Sequence, residues 1–293
     1  MSPAFAGPAL LALAALLSSL GGAGFAMAAP VHPLAVNAVR CLTAAGVSAV
    51  FFAADRRLPR LCFSTAWGGL CLALTTQLFA LAAPLAGAGT ATLLLNTSPL
   101  FVLLIQCAAQ KKPPRSGQLQ AAVLVIGGVA VVAGCRPGPW QGLAAGLASG
   151  ACYAGVFLAG QGPKADPASA FFWGQLLAGL ADLPFLAASQ PLTWPARSWA
   201  AGLVLGLVQL GLCYRCMAKG LAITPPLTAS LVCTLEPVLA PLWGLAAGQQ
   251  LPGGFWLGTA LVLAGILRQK AVSLPPPSTG GSAPAPAPNR GPR

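Results

Sequence analysis

The chain has 293 residues, 56% of them hydrophobic and only 7% charged, with a formal net charge of +12. Soluble domains carry about 25% charged residues, so too few groups remain here to cover a water-facing surface, and a soluble protein is excluded. The basic residues punctuate apolar runs in twos and threes rather than forming one stripe, which excludes a nucleic-acid binder and fits the cytosolic loops of an integral membrane protein.

A bilayer span needs about 20 apolar residues. Breaks at Pro, Gly and charge clusters predict spans at 8–28, 33–54, 62–84, 87–109, 117–134, 140–160, 168–190, 200–219, 226–247 and 254–271, ten helices in all. The first imitates a signal peptide, with an apolar stretch Leu10–Leu20 and the small-residue end Ala26-Met27-Ala28. It has no basic residue before that stretch, so it reads as a transmembrane helix. His32 falls in an outer loop and is expected to be solvated.

In the second helix, Arg40 lies seven residues inside the start. It either snorkels to the interface, holds an anion or pairs with Glu236. Gln77, Gln106, Gln175 and Gln209 are intramembrane amides that face a cavity or bind helices together. In the fourth helix, Asn96, Thr97 and Ser98 precede Pro99, where hydroxyls can satisfy backbone at a kink or line a cavity. In the sixth, Gly142, Gly146 and Gly150 favour close packing, and Tyr153 could wall a pocket with Trp173, Tyr214 and Trp243. Asp182, close before Pro184, is placed near the outer interface.

In the eighth helix, Cys213 and Cys216 form a C-x-x-C with no second ligand pair nearby, so they read as packing residues. Arg215 and Lys219, one turn apart, read as inner-side anchors. The other tryptophans (Trp67, Trp140, Trp194, Trp199, Trp256) read as interface residues. Glu236 stands directly before Pro237 in an apolar run. A mid-membrane carboxylate costs at least about 2.5–3.5 kcal/mol, so it must be paired or face a wet cavity. Contact with substrate or proton and architecture at a kink both remain open for it.

Orientation follows from Lys and Arg. With a cytosolic N-terminus, Arg56, Arg57, Arg60, Lys111, Lys112, Arg115, Lys164, Arg215, Lys219, Arg268, Lys270, Arg290 and Arg293 fall inside, and only Arg136 and Arg197 outside. Both termini are therefore expected in the cytosol. Residues 272–293, rich in Pro, Ala, Gly and Ser, are expected to be a disordered tail.

Sliding the sequence on itself by 138 positions lays "TSPLFVLL" (97–104) on "LEPVLAPL" (235–242) and "VLVIGG" (123–128) on "LVLAGI" (261–266). Pro99 lands on Pro237 and Gly127 on Gly265. Two five-helix repeats follow, residues 1–134 and 135–271. Because five is odd, the copies run oppositely through the bilayer, and inverted repeats of this kind belong to transporters. The fold class is thus an all-α integral membrane protein of two inverted five-helix repeats.

Three stretches carry a resemblance: "GTATLLLNTSPLFVLLIQ" (89–106), "TPPLTASLVCTLEPVLAPLWGLAAGQQLPGGFWLGTALVLAGIL" (224–267) and "HPLAVNAVRCLTA" (32–44). With these, nearly all of residues 8–270 resembles the EamA family of the drug/metabolite transporter superfamily. The resemblance implies ten helices, both ends inside, and transport of a small polar metabolite or a drug-like compound. In many members a Gly-Glu ends helices four and nine. Here those places read Gln110-Lys111 and Gly248-Gln249, so no role is carried over for that glutamate.

The functional reading is a secondary transporter working by alternating access. Alternatives are a nucleotide-sugar-type transporter of the same superfamily and a non-transporting scaffold or regulator. An enzyme is disfavoured, because one His and four scattered acids cannot assemble the usual acid–base or metal clusters, and no phosphate-binding glycine loop occurs. No cofactor and no metal are expected. The expected partners are a small-molecule substrate and the lipid bilayer, with a coupling proton or ion and a homodimer left open. The plasma membrane is favoured. Candidate cavity residues are Glu236, Asn96, Ser98, Arg40, Gln77, Gln209, Tyr153, Tyr214 and Trp243, with Pro99 and Pro237 at helix kinks.

Overall fold

A computed structural model of the chain describes residues 3–135, 139–160, 165–224, 232, 235–246, 248, 250–251 and 253–273. Among them, eight helical spans are long and apolar enough to cross a membrane. These are α1 (Ala6–Met27), α2 (Pro33–Ala54), α3 (Phe63–Ala86), α4 (Ala88–Gln110), α5 (Ser116–Cys135), α6 (Trp140–Ala159), α7 (Pro167–Ala188) and α8 (Ala196–Gly220). Two more apolar helices follow, α9 (Leu235–Ala246) and α10 (Gly253–Ser273). No strand occurs among the described residues. The predicted ninth span began at 226, and residues 225–231 and 233–234 lie outside the described residues. So do residues 274–293 of the predicted tail, whereas residues 272 and 273 still belong to α10.

Several spans are not continuous α-helix, as apolarity alone had suggested. α1 breaks at Leu20, where a helix Pro3–Ser19 gives way to Gly21–Met27. α4 divides into Ala88–Leu95 and Ser98–Gln110, so Pro99 opens a new helical segment rather than bending an intact one. Proline suits that place because its missing N–H would have no partner in a first turn anyway. α7 breaks at Asp182, ahead of Pro184. α8 carries a π-helical stretch at Leu205–Leu212. Pro237 is the third residue of α9 and is buried, and the backbone immediately before Leu235 lies outside the described residues.

The second helix of each half starts the same way. His32 accepts a hydrogen bond from the Leu34 amide at 3.3 Å and is followed by Pro33. Asp166 accepts from the Ser169 amide at 3.2 Å and is followed by Pro167. A capping side chain followed by proline satisfies one amide and omits another. His32 stays exposed, as expected for an outer loop, but it also stacks on Phe185.

Packing across the bundle is reciprocal. α3 packs on α6 and α7, while α8 packs on α1 and α2. α4 meets α6, and α9 meets α1. α2 with α7, α4 with α9 and α5 with α10 pair across the halves. Exchanging the first five helices for the second five maps these pairings onto one another.

Glycine permits the closest of these approaches. A Cβ added at Gly142 or Gly146 would stand 2.7 Å from Leu85 Cβ or Leu94 Cδ1, and one at Gly150 would stand 2.7 Å from the Leu94 carbonyl oxygen. Between α5 and α10, Gly128 and Gly258 face each other, each Cβ position lying 2.6–2.7 Å from the other's carbonyl oxygen. Apolar lipid gives two helices little hydrophobic reason to associate, so such backbone approach carries the pairing. Cys213 and Cys216 pack against Ala14 of α1, with the Cys213 thiol 3.3 Å from the Ala14 carbonyl oxygen.

Gly128→Ala should therefore lower stability by about 1–3 kcal/mol, because two of its three nearest neighbours are backbone atoms that cannot step aside. Gly127, with nothing within 4 Å of its Cβ position, should accept Ala without loss. Thermal unfolding in detergent micelles compares them, and equal midpoints for the two variants would contradict this packing argument.

Candidate functional site

The site begins with α2, which is buried almost all round from Leu34 to Cys41. Asn37, Arg40, Cys41 and Ala44 recur at helical spacing and form one polar-edged face. Arg40 is only 3% exposed. Its Nε donates to Gln209 Oε1 of α8 at 3.0 Å, and its Nη1 donates to Asn37 Oδ1 at 2.9 Å. The guanidinium also lies over the rings of Phe25 and Phe79, 5.3 and 5.9 Å from their centroids. Of the three readings left open by the sequence, snorkelling is excluded: this arginine finds its partners inside the bundle.

Asn37 passes the interaction on. Its Nδ2 donates to Asp182 Oδ2 at 2.7 Å, and Gln77 Nε2 donates to Asp182 Oδ1, also at 2.7 Å. Asp182 is completely buried at the break in α7. At the other end of the chain of bonds, Gln209 Nε2 donates to the Ser18 carbonyl of α1 at 3.3 Å. One hydrogen-bonded path thus crosses α1, α8, α2, α7 and α3. A buried Arg and a buried Asp need such partners, because an unpaired charge is too costly in an apolar interior.

Beside this path is a small cavity. Both halves line it. The first supplies Ser18, Arg40, Thr75, Thr76, Phe79 and Leu95, and the second supplies Tyr153, Gln209, Leu210, Tyr214, Met217 and Glu236. Glu236 is half-buried on its wall. Among the described residues no three His, Cys, Asp or Glu side chains converge in a way that could hold a metal.

A second polar group sits where α2 ends and α7 begins. Arg215 of α8 donates through Nη1 and Nη2 to the two oxygens of Asp55, at 2.5 and 2.8 Å. Arg57 Nη2 donates to Asp166 Oδ2 at 2.7 Å. The hydrogen bond from Arg215 holds Asp55 below the usual carboxylate range. Partial burial pushes Asp166 up, but hydrogen bonds from the Ser169 hydroxyl and amide, with the Arg57 charge, outweigh it and leave Asp166 lowered. Arg215, read from the sequence as an inner-side anchor, also has an ion-pair partner in Asp55.

The EamA-like transporter family matches residues 5–134 and again residues 140–268. The chain belongs to the EamA-like transporter family. The double match says that one unit is present twice in this EamA chain. Among solved structures, the chain is similar to a protein known from its crystal structure, with a TM-score of 0.61 and 19% identity. That match covers 93% of this chain and 98% of the other. At that identity the likeness establishes fold alone. No curated protein sequence matches.

The structure divides the candidates of this EamA protein. Glu236, Arg40, Gln209, Tyr153 and Tyr214 come together around the cavity. Gln77 does not line it, because its amide is committed to Asp182. Asn96 returns its Nδ2 to the Thr92 carbonyl one turn back, at 2.9 Å. Ser98 is buried at the start of the second half of α4. Trp243 does not line it and donates to the Ser19 hydroxyl at 2.8 Å. Trp173 donates to the Arg60 carbonyl. Trp194, read as an interface residue, is buried against Ala35 and Val39 of α2.

Sequence reasoning missed Asn37 and underrated Asp182. The available signal was the i, i+3, i+4 set of Asn37, Arg40 and Cys41 on one apolar helix, which marks a face turned inward. Nothing local pairs Asn37 with a residue 145 positions away.

Asp182→Ala should destabilise the protein by ~1–3 kcal/mol for each buried donor left unpaired, here Asn37 and Gln77. Thermal unfolding reads it, and a parental midpoint would show that the two amides find other partners. The end ties have a different signature. Asp55 is lowered in the fold, so its contribution is complete above the unfolded value of about 3.9 and is lost as pH falls through the lower folded value. The difference in midpoint between parent and Asp55→Asn should stay constant from about pH 5 to 8 and shrink only below about pH 4. A difference that changes across neutral pH would assign the effect to another group.

Proposed function

We propose that the chain is a secondary transporter that moves a small polar solute across a membrane by alternating access, with the cavity between its halves as the solute site. The observation that carries this reading is that Glu236 from one half and Arg40 from the other line the same cavity. Opposite charges on one wall have a cost in a membrane interior, and a polar solute that enters can offset it. The reciprocal packing supports two halves related by a rotation of about 180° around an axis in the membrane plane, which gives two pseudo-equivalent states. In that arrangement both termini are cytosolic, in keeping with the distribution of Lys and Arg.

The cavity favours a small solute over a nucleotide sugar. Arg40 is the one cation among its lining residues, and Glu236 shares the space. A pyrophosphate would need more positive charge than that and would meet the carboxylate. Tyr153, Tyr214 and Phe79 offer apolar faces beside the polar groups, which suits a compact solute with one apolar side.

The test is flux in liposomes loaded with a panel of small metabolites. Parent protein should move at least one of them, and Glu236→Gln, which keeps the shape and removes the charge, should reduce that flux about tenfold or more while its thermal midpoint stays close to the parent's. Full flux in Glu236→Gln would reduce Glu236 to a structural role. Absence of flux for every solute, with folded protein, would favour a scaffold or regulator.

A further inference from the structure

Tyr214 lines two cavities at once. One is the central cavity. The other is a vestibule at the end of the bundle where α2 stops and α7 begins, bounded by Ser48, Asp55, Arg57, Phe171 and Arg215. Between them the Tyr214 ring lies flat on Phe171 of α7, with centroids 4.4 Å apart and planes 15° apart. The next residue, Arg215, grips both oxygens of Asp55 on α2 and lies over the Phe51 ring, 4.9 Å from its centroid. The Arg57–Asp166 pair ties α2 to α7 alongside.

We propose that the Tyr214–Phe171 stack is a gate between the central cavity and the vestibule, latched by the Asp55–Arg215 pair. The purpose of such a gate rests on the transporter reading, but its geometry does not. Three independent features support it. The stack stands where the two cavities meet. The latch is a water-accessible ion pair, of the kind that contributes little and can open readily. The third feature is the π-helical stretch Leu205–Leu212, which directly precedes the gate.

A π-turn holds one residue more than an α-turn, and such bulges recur at functional sites. Releasing that extra residue would rotate everything after it on α8 by about 100°. Tyr214 and Arg215 are adjacent, so they would leave Phe171 and Asp55 together. Gly206 and Gly211 keep this stretch against α2. An added Cβ would lie 2.5 Å from the Arg40 carbonyl oxygen at the first and 2.7 Å from Val47 Cγ1 at the second.

The test labels a cavity position from the vestibule side. Ser18→Cys is reacted with a membrane-impermeant maleimide in vesicles of each orientation, and the unsubstituted protein gives the background from its own cysteines. With the gate intact, labelling from the vestibule side should be slow. Adding Arg215→Gln or Tyr214→Ala should speed it about tenfold, which corresponds to ~1.4 kcal/mol in the balance of closed and open forms. Tyr214→Phe, which keeps the stack, should leave the rate at the Ser18→Cys level. The charge-swapped pair Asp55→Arg with Arg215→Asp should bring it back down.

If Tyr214→Ala labels equally fast from both sides, the bundle has loosened. Tyr214→Phe and Arg215→Gln then decide, and failure of either to behave as stated overturns the gate. Unchanged labelling in Arg215→Gln overturns it as well, whatever solute is transported. Faster labelling in a protein that moves no solute leaves the gate standing and removes the transporter reading instead.

Discussion

The structure depends on one constraint: a buried arginine must have its charge met inside an apolar bundle. Arg40 is almost wholly buried on a helix packed against α3, α7 and α8. Its field is met through Asn37 by Asp182, and its shape is met by Gln209 and the rings of Phe25 and Phe79. Each of these partners comes from a different place in the chain. The path therefore acts as a register device as well as a stabilising one. Sliding any of its helices by one turn would leave a buried donor or charge without a partner, at a cost of a few kcal/mol.

That constraint also shapes the cavity. Gln209 joins the path and lines the cavity, and it lies in the π-helical part of α8. Arg40 likewise lines the cavity and belongs to the path. The cavity wall is thus held by the same bonds that hold the helices together. Through these bonds the cavity wall is connected to the break in α7 and, along α8, to Tyr214. The two polar systems differ in kind. The inner one links a buried Arg and a buried Asp through amide side chains, with every described member hydrogen-bonded. The outer ties are ion pairs that water can reach. Such pairs contribute modestly and exchange partners easily.

Glu236 can now be placed physically. It lines a cavity shared by both halves, so its carboxylate has polar surroundings within reach. The residue aligned with it by the 138-residue offset, Ser98, is packed away at a helix break. The two halves share a backbone plan and diverge in chemistry at the same point. One half keeps a small hydroxyl that serves packing, and the other keeps a carboxyl group on the cavity wall.

Much of the plan was legible in the sequence because the bilayer is a demanding solvent. Runs of about 20 apolar residues located the helices, the doubled E-P and S-P positions exposed the repeat, and the family match over two stretches agrees with it. Glycines at four-residue spacing announced close packing, and a carboxylate before a proline announced a place worth inspecting. What the sequence could not decide was which polar groups meet. Asn96, Gln77, Trp243 and Gln209 looked equivalent as intramembrane polar or aromatic residues. Only the packing sent Asn96 back to its own helix, Gln77 to Asp182, Trp243 to Ser19 and Gln209 to Arg40. Apolarity is a local property, set by the solvent that each segment must face, and so it can be read along the chain. Hydrogen-bond pairing between helices is set by their rotation and depth, which exist only once the bundle has closed.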